Sequence, residues 1–158
     1  VLNLFCYTGS FSVYAAHGGA AEVVSVDLSN TYLEWAKKNM ELNGFKGDQY
    51  VYVKADVLQW LNKCEASYYD LIVLDPPTFS NSKMMKDVFD IQEMHVDLIN
   101  QCIEKLAPNG LLYFSTNARK FEMNEAMIKG RVENITTATI PFDFKGKLLR
   151  WCYVITKQ

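Results

Sequence analysis

Tyr69-Asp70-Leu71-Ile72-Val73-Leu74-Asp75-Pro76-Pro77-Thr78-Phe79 is the stretch from which the rest of the chain can be ordered. Leu71–Leu74 is apolar without alternation, as expected of a strand buried on both faces. It runs directly into a carboxylate and two prolines. Each proline removes a backbone donor and restricts the residue before it, so the strand ends abruptly in a stiff loop. In an open parallel sheet, ligands bind at the carboxyl ends of strands, which makes Asp75 a candidate for chemistry rather than only a turn residue.

Toward the N-terminus the same grammar repeats. Val1–Phe5 reads as a strand, Thr8-Gly9-Ser10 as a turn, and Phe11–His17 as a helix stopped by Gly18-Gly19. Glu22–Val26 reads as a second strand closed by Asp27. Ser29 is a helix cap for Asn30–Leu42, which ends at Asn43-Gly44. Gln49–Lys54 is a third strand, with Asp56 just beyond it and a short helix over Val57–Cys64. Toward the C-terminus, apolar residues at helical spacing predict a helix from about Asp87 to Leu106. A Pro108-Asn109-Gly110 turn and a strand over Leu111–Ser115 follow. Asn124–Lys129 reads as a short helix, and Val132–Ile140 and Leu149–Thr156 as two further strands. No helix separates these last two, so they should pair as an antiparallel hairpin at one edge of a seven-stranded, mostly parallel sheet, with helices on both faces.

Composition sets bounds on function. At 158 residues, 49% apolar and 22% charged, the chain suits one domain (1–158) with a substantial core and no disordered tract. No apolar run is long enough to span a bilayer, so no membrane partner is expected. Cys6, Cys64, Cys102 and Cys152 have no CxxC spacing and no neighbouring histidine. Reduced, packed thiols in a cytoplasmic protein, and no metal, are the expectation. The net charge of −2 is unevenly spread. Residues 1–79 carry five basic and nine acidic side chains, whereas residues 80–158 carry eleven and nine. Arg119, Lys120, Lys129, Arg131, Lys145, Lys147 and Arg150 form the basic tail of this gradient. It is either an ordinary solvated surface or an edge that faces RNA.

Reading the residue types after each strand gives the site. Cys6, Tyr7, Thr8, Gly9 and Ser10 follow the first strand. Their single glycine falls short of GxGxxG, so a pyrophosphate cradle is incomplete. Asp27 follows the second strand and suits a pair of ribose hydroxyls. Asp56 follows the third and suits an adenine amino group. Each acid alone reads best as a strand-end or capping carboxylate, but two on successive strand ends favour an adenosine site. Asp75, Pro76 and Pro77 then stand at the reacting end of that site.

These residues resemble those of class I S-adenosylmethionine-dependent methyltransferases, which have a Rossmann-like fold. Over VLNLFCYTGSFSVYAAHGG (1–19), VDLSNTYLEWAKKNMEL (26–42) and DLIVLDPPTFSNSKM (70–84), the chain is similar to the C-terminal methyltransferase domain of the bifunctional large-subunit ribosomal RNA guanine methyltransferases of bacteria. The resemblance implies cofactor contacts from Phe5, Tyr7, Thr8, Gly9, Ser10, Asp27, Leu28, Asp56, Val57 and Asp75. It implies a base pocket lined by Thr78 and Phe79, with ribosomal RNA as partner. In that family, an N-terminal methyltransferase and RNA-binding modules belong to the same longer chain, which makes residues 1–158 a fragment.

Chemistry narrows the methyl acceptor. Methylation of a pyrimidine at carbon 5 needs a cysteine nucleophile, and neither Asp75-Pro76-Pro77-Thr78 nor Ser115-Thr116-Asn117 supplies one. Methylation of an exocyclic amine usually has an aromatic directly after Asp/Asn-Pro-Pro. Here Thr78 takes that place and Phe79 follows one position late. Guanine N7 has an in-plane lone pair and needs no base, so N7 is the favoured acceptor and guanine N2 the alternative. A non-catalytic RNA-binding domain that kept the fold, and an NAD-dependent reductase, remain further readings. Arg119 and Lys120 are candidates for phosphate contacts, and Asn81–Lys86 for a substrate loop.

Overall fold

The computed structural model describes residues 1–80, 89–144, 146 and 150–157. The expected substrate loop at 81–86, and Lys145, Lys147 and Leu149, lie outside the described residues. The elements in chain order are β1 (Leu2–Leu4), α1 (Ser10–His17), β2 (Val23–Asp27), α2 (Asn30–Leu42), β3 (Tyr50–Lys54), α3 (Val57–Leu61) and β4 (Tyr69–Leu74). Then come β5 (Phe79–Ser80), β6 (Phe89–Asp90), α4 (Ile91–Lys105), β7 (Leu106–Thr116), β8 (Gly130–Asn134) and β9 (Trp151–Lys157).

Seven strands form one sheet in the order β3-β2-β1-β4-β7-β9-β8. The first five are parallel, and β9 runs antiparallel to both β7 and β8. The expected hairpin therefore forms, but with the last strand inserted between β7 and β8, which leaves β8 at the edge. The reversal of strand order at β1/β4 is the topological switch point, where the strand ends splay and leave a crevice.

The two faces of the sheet are finished differently. Leu2, Leu4, Ile72, Leu74, Leu112, Phe114 and Ile155 point to one face and are fully buried with Leu98, Ile99 and Cys102 of α4 and Leu61 of α3. Each such side chain stabilises the fold by about 1.5–3 kcal/mol. On the other face, Ala16 of α1 and Met40 of α2 pack on Val23. A buried polar chain runs beside them, in which Asn3 Nδ2 donates to Ser12 Oγ at 2.8 Å and Ser12 and Ser25 Oγ lie 2.7 Å apart. On that face, over β4 and β7, Leu71, Val73 and Leu111 are only half-buried and Tyr113 is exposed.

Helix ends follow local chemistry. Ser29 caps α2, accepting from Tyr32 N–H, as its position predicts. α1 closes with Gly19 N–H on Ala16 O and Ala20 N–H on Ala15 O, a Schellman pair that requires the left-handed φ of 85° that Gly19 adopts.

Several boundaries differ from expectation. α4 begins at Ile91 because Asp90 caps it and Phe89-Asp90 pairs with Phe79-Ser80 instead. Pro108-Asn109-Gly110 is a bulge within β7, where the register shifts from Tyr69↔Leu106 to Leu71↔Leu111. β8 stops at Asn134 because Thr136 Oγ1 takes over the ladder, accepting from Cys152 N–H and donating to Cys152 O. The 124–129 segment contributes one 3₁₀ turn, Glu125–Met127, rather than an α-helix. Side chains of α4 hold this segment. Gln92 exchanges two hydrogen bonds with the Glu122 backbone, His95 Nε2 accepts from Asn124 N–H, and Asn100 bridges Met127 O and Lys129 N–H. His95 is thus a buried structural group.

Candidate active site at the carboxyl edge of the sheet

A cleft of about 590 Å³ opens where the five parallel strands end. The loop after β1 contributes Phe5 and Tyr7, the end of β2 and the start of α2 contribute Asp27, Leu28, Ser29 and Tyr32, and the turn from β3 into α3 contributes Ala55, Asp56 and Val57. β4 contributes Asp75, Pro76, Pro77 and Thr78, and β7 contributes Asn117. The volume suits a nucleoside-sized ligand.

The β1–α1 loop is wound tightly to reach this position. Phe5 and Tyr7 both take positive φ, 55° and 48°, which costs a non-glycine residue about 1–2 kcal/mol. Four contacts over-determine the conformation. Cys6 N–H donates to Val26 O, Gly9 N–H to Cys6 O, Tyr7 N–H to Asp27 Oδ2 at 3.0 Å, and Asn39 Nδ2 to Thr8 O at 2.8 Å. Strain held in this way is a mark of a functional loop. Gly9 serves the loop by packing, because a Cβ there would come within 2.7 Å of the Ala36 Cβ on α2. Thr8, Gly9 and Ser10 are not among the residues that line the cleft.

Three carboxylates face the cleft, and among the described residues no basic side chain lines it. Asp27 is held at both oxygens, Oδ1 accepting from Ser29 N–H at 2.8 Å and Oδ2 from Tyr7 N–H. Asp56 caps α3, its Oδ1 accepting from Leu58 and Gln59 N–H. The capping and site readings of this residue therefore coexist. Asp75 Oδ1 accepts from Ser115 Oγ at 2.6 Å. Asp75 is an exposed residue whose carboxyl is partly desolvated where it opens on the cleft. That desolvation raises its pKa above the usual carboxylate value, while the Ser115 hydrogen bond and the charge of Arg150 pull it back.

Sequence reasoning missed Ser29, Tyr32, Ala55 and Asn117 as lining residues, and Ser115 and Arg150 as neighbours of Asp75. Tyr32 carried a readable signal, since it falls in the first turn of the helix that follows Asp27. It meets Tyr7 edge-on, with ring centroids 4.5 Å apart. Phe79 stands outside the lining set, 54% exposed on β5, which pairs with β6 at Asp90. Arg119 and Lys120 are exposed just beyond Asn117 on the loop after β7. Cys6 lies under the cleft floor, and burial, with Asp27 adding to it, pushes its thiol up to about 12. It carries almost no thiolate at neutral pH and is no nucleophile.

A doubly wound sheet with an acid on three successive strand ends defines a class of protein, the Rossmann-like domains that hold an adenosine-bearing ligand. The donor set specifies the ligand further. Carboxylates without a cation reject a diphosphate and fit a ligand with free ribose hydroxyls, an exocyclic amine and positive charge. Comparison with known proteins agrees. The pattern of the S-adenosylmethionine-dependent methyltransferases matches residues 1–128, and the chain belongs to that family.

Two relatives bear the name ribosomal RNA large subunit methyltransferase K/L. The protein of Shewanella oneidensis is 55% identical over 92% of this chain, and that of Saccharophagus degradans 55% over 98%. The chain spans about a fifth (21%) of the length of either. Among solved structures, a protein complexed with SAH superposes with a TM-score of 0.76 at 27% identity, over 98% of this chain and 44% of the other. The SAM-dependent methyltransferase from Agrobacterium tumefaciens gives 0.75 at 25% identity, over 99% and 55%.

Proposed function

We propose that this domain methylates guanine in large-subunit ribosomal RNA, at ring nitrogen N7. The observation that carries the reading is the cleft itself, which has three carboxylates, a rigid Asp75-Pro76-Pro77 wall and no available cysteine nucleophile. When bound, S-adenosylmethionine supplies a methyl group on a sulfonium centre. Asp27 accepts from the ribose hydroxyls, Asp56 through the oxygen not used in capping accepts from the adenine amine, and Phe5, Tyr7, Leu28 and Val57 supply apolar walls. Thr8 and Gly9 hold the cofactor loop against α2, and Ser10 opens α1.

Asp75 faces the reacting end, where it accepts from the ligand amine or from the Watson–Crick edge of a guanine. N7 presents its lone pair in the ring plane and loses no proton. The chain then has to align two groups in a closed space and need not supply a base. A base inside folded RNA must turn out of its stack to reach the cleft. Thr78 lines its path, Phe79 offers an exposed ring for stacking, and Arg119 and Lys120 offer charge to the phosphates. The ribosomal substrate is inferred from the relatives' names. Their extra length supports further RNA-binding and methyltransferase domains in the same protein, working in the cytoplasm where ribosomes are made.

Guanine N2 is the second reading, favoured by one feature, that Asp75 is a hydrogen-bond acceptor open to the cleft and suited to orient an exocyclic amine. Nucleoside mass spectrometry of ribosomal RNA from cells lacking the gene tests both. Loss of 7-methylguanosine is expected. Loss of N2-methylguanosine alone overturns the N7 assignment, and an unchanged profile overturns the RNA substrate.

A further inference from the structure

Asp75 differs from its two companions in the cleft, because no backbone N–H among the described residues holds it. Among the described residues its hydrogen bond comes from Ser115 Oγ, forty positions away on β7. The charge of Arg150, at the threshold of β9, favours its anion. Arg150 is itself anchored, donating to Thr139 O. Thr139 is fixed in turn by its hydroxyl on Ile135 O and Thr136 O. The β8–β9 connection thus holds a tethered cation whose charge reaches Asp75, and β7 presents a hydroxyl directly to it. Across the cleft the remaining carboxylates are Asp27 and Asp56, both occupied with backbone donors.

We infer that Ser115 is a positioning residue for methyl transfer, with Arg150 assisting it from a distance. They hold the Asp75 carboxylate in one orientation and as an anion, so that its second oxygen accepts from the ligand. The inference rests on reading this cleft as the methyl-transfer site. Its physical basis is a competition. Desolvation drives Asp75 toward the neutral acid, a charge-assisted hydrogen bond and a nearby guanidinium oppose that, and only the ionised form is an acceptor at both oxygens. Ser115 reaches the site because β7 pairs with β4, Phe114 lying opposite Leu74, and Arg150 comes from the strand end that pairs with β7 on its other side, both steps of topology rather than of local sequence.

The test is a titration of the protein labelled with ¹³C at the aspartate carboxyls, with the Asp75 signal assigned by its loss in D75N. In S115A the midpoint of Asp75 should rise by on the order of one pH unit, and S115T should restore it. R150Q should raise it by a smaller step and R150K should not. Unchanged midpoints in folded S115A and R150Q overturn the inference. R150Q alters an arginine with a solvent-facing tether, so it decides the matter if S115A does not fold. In the full-length protein, the acid limb of the pH–rate profile should move with the same midpoints, and kcat should fall more than KM for RNA. The titration involves no methyl acceptor. Failure of the guanine reading therefore leaves it standing, and its own failure leaves the guanine reading untouched.

Discussion

The two sides of the cleft are built on different plans. On the side of β1, β2 and β3, the carboxylates of Asp27 and Asp56 are fastened by backbone N–H groups, most of them two or three residues away. On the side of β4, β7 and β9, Asp75 is held, among the described residues, by a serine hydroxyl forty positions away, with the charge of a distant arginine favouring its anion. The first side is wired by the turns that make the fold, so its acids contribute to stability as well as to binding. The second is wired by partners that can be altered without unfolding a loop. A cofactor common to a large family suits the first plan, and an acceptor that varies among members suits the second.

Asp75→Asn should break the comparison most visibly if the two sides are in fact alike. Methyl transfer by the full-length protein should fall about 100-fold or more through misalignment at the reacting centre. Stability should move the other way. Burial raises the folded-state pKa of Asp75 above its unfolded value of 3.8. Its ionised form is therefore disfavoured by folding, a cost absent below that unfolded value and fully present once the pH has risen through the folded-state value. At pH 7 the amide variant should melt no lower than the parent, and its advantage should disappear in acid. Thermal melts across pH measure this. A lower melting temperature at pH 7 would show that Asp75 is a structural acid like the other two.

Asp27→Ala should behave oppositely. It strands the N–H groups of Tyr7 and Ser29, so stability should fall by about 1–3 kcal/mol and the strained turn at Phe5 and Tyr7 should loosen. Calorimetric affinity for S-adenosylmethionine should drop at least about tenfold, the equivalent of one charge-assisted hydrogen bond. Full affinity in a folded variant would remove Asp27 from the ribose site.

The same division explains what could be read from the sequence. Asp27, Asp56 and Asp75 were visible because each directly follows an apolar strand, and parallel strands bring their ends to one edge. Ser29 announced a helix cap by its position alone. Ser115 and Arg150 carried no such mark. One is a serine inside a strand and the other a basic residue among several, and they gain meaning only when β7 pairs with β4 and β9 enters the sheet antiparallel on the other side of β7. At Gly9 a glycine in a turn signals close approach without saying to what, and the neighbour that the fold supplies is Ala36. The end of β8 was obscured by Thr136, whose hydroxyl imitates a backbone partner at Cys152. The bulge at 107–110 was obscured because Pro-Asn-Gly marks a turn whether or not the strand continues past it.

Asp56 gives the smallest expected effect and the finest distinction, because one carboxylate there has two separable duties. Its Oδ1 caps α3, and loss of a cap costs about 1 kcal/mol. Asp56→Ala should therefore lower the melting temperature modestly and weaken the cofactor as well. Asp56→Asn keeps a good capping oxygen, since asparagine ranks with aspartate at that position, but loses the charge that faces the adenine side of the cleft. Stability should return to the parental value while cofactor affinity stays reduced. If asparagine restores both, the charge is idle and Asp56 is a cap that happens to line the cleft. If it restores neither, the second oxygen is itself part of the α3 turn, and the wiring of this side is tighter than two backbone hydrogen bonds describe.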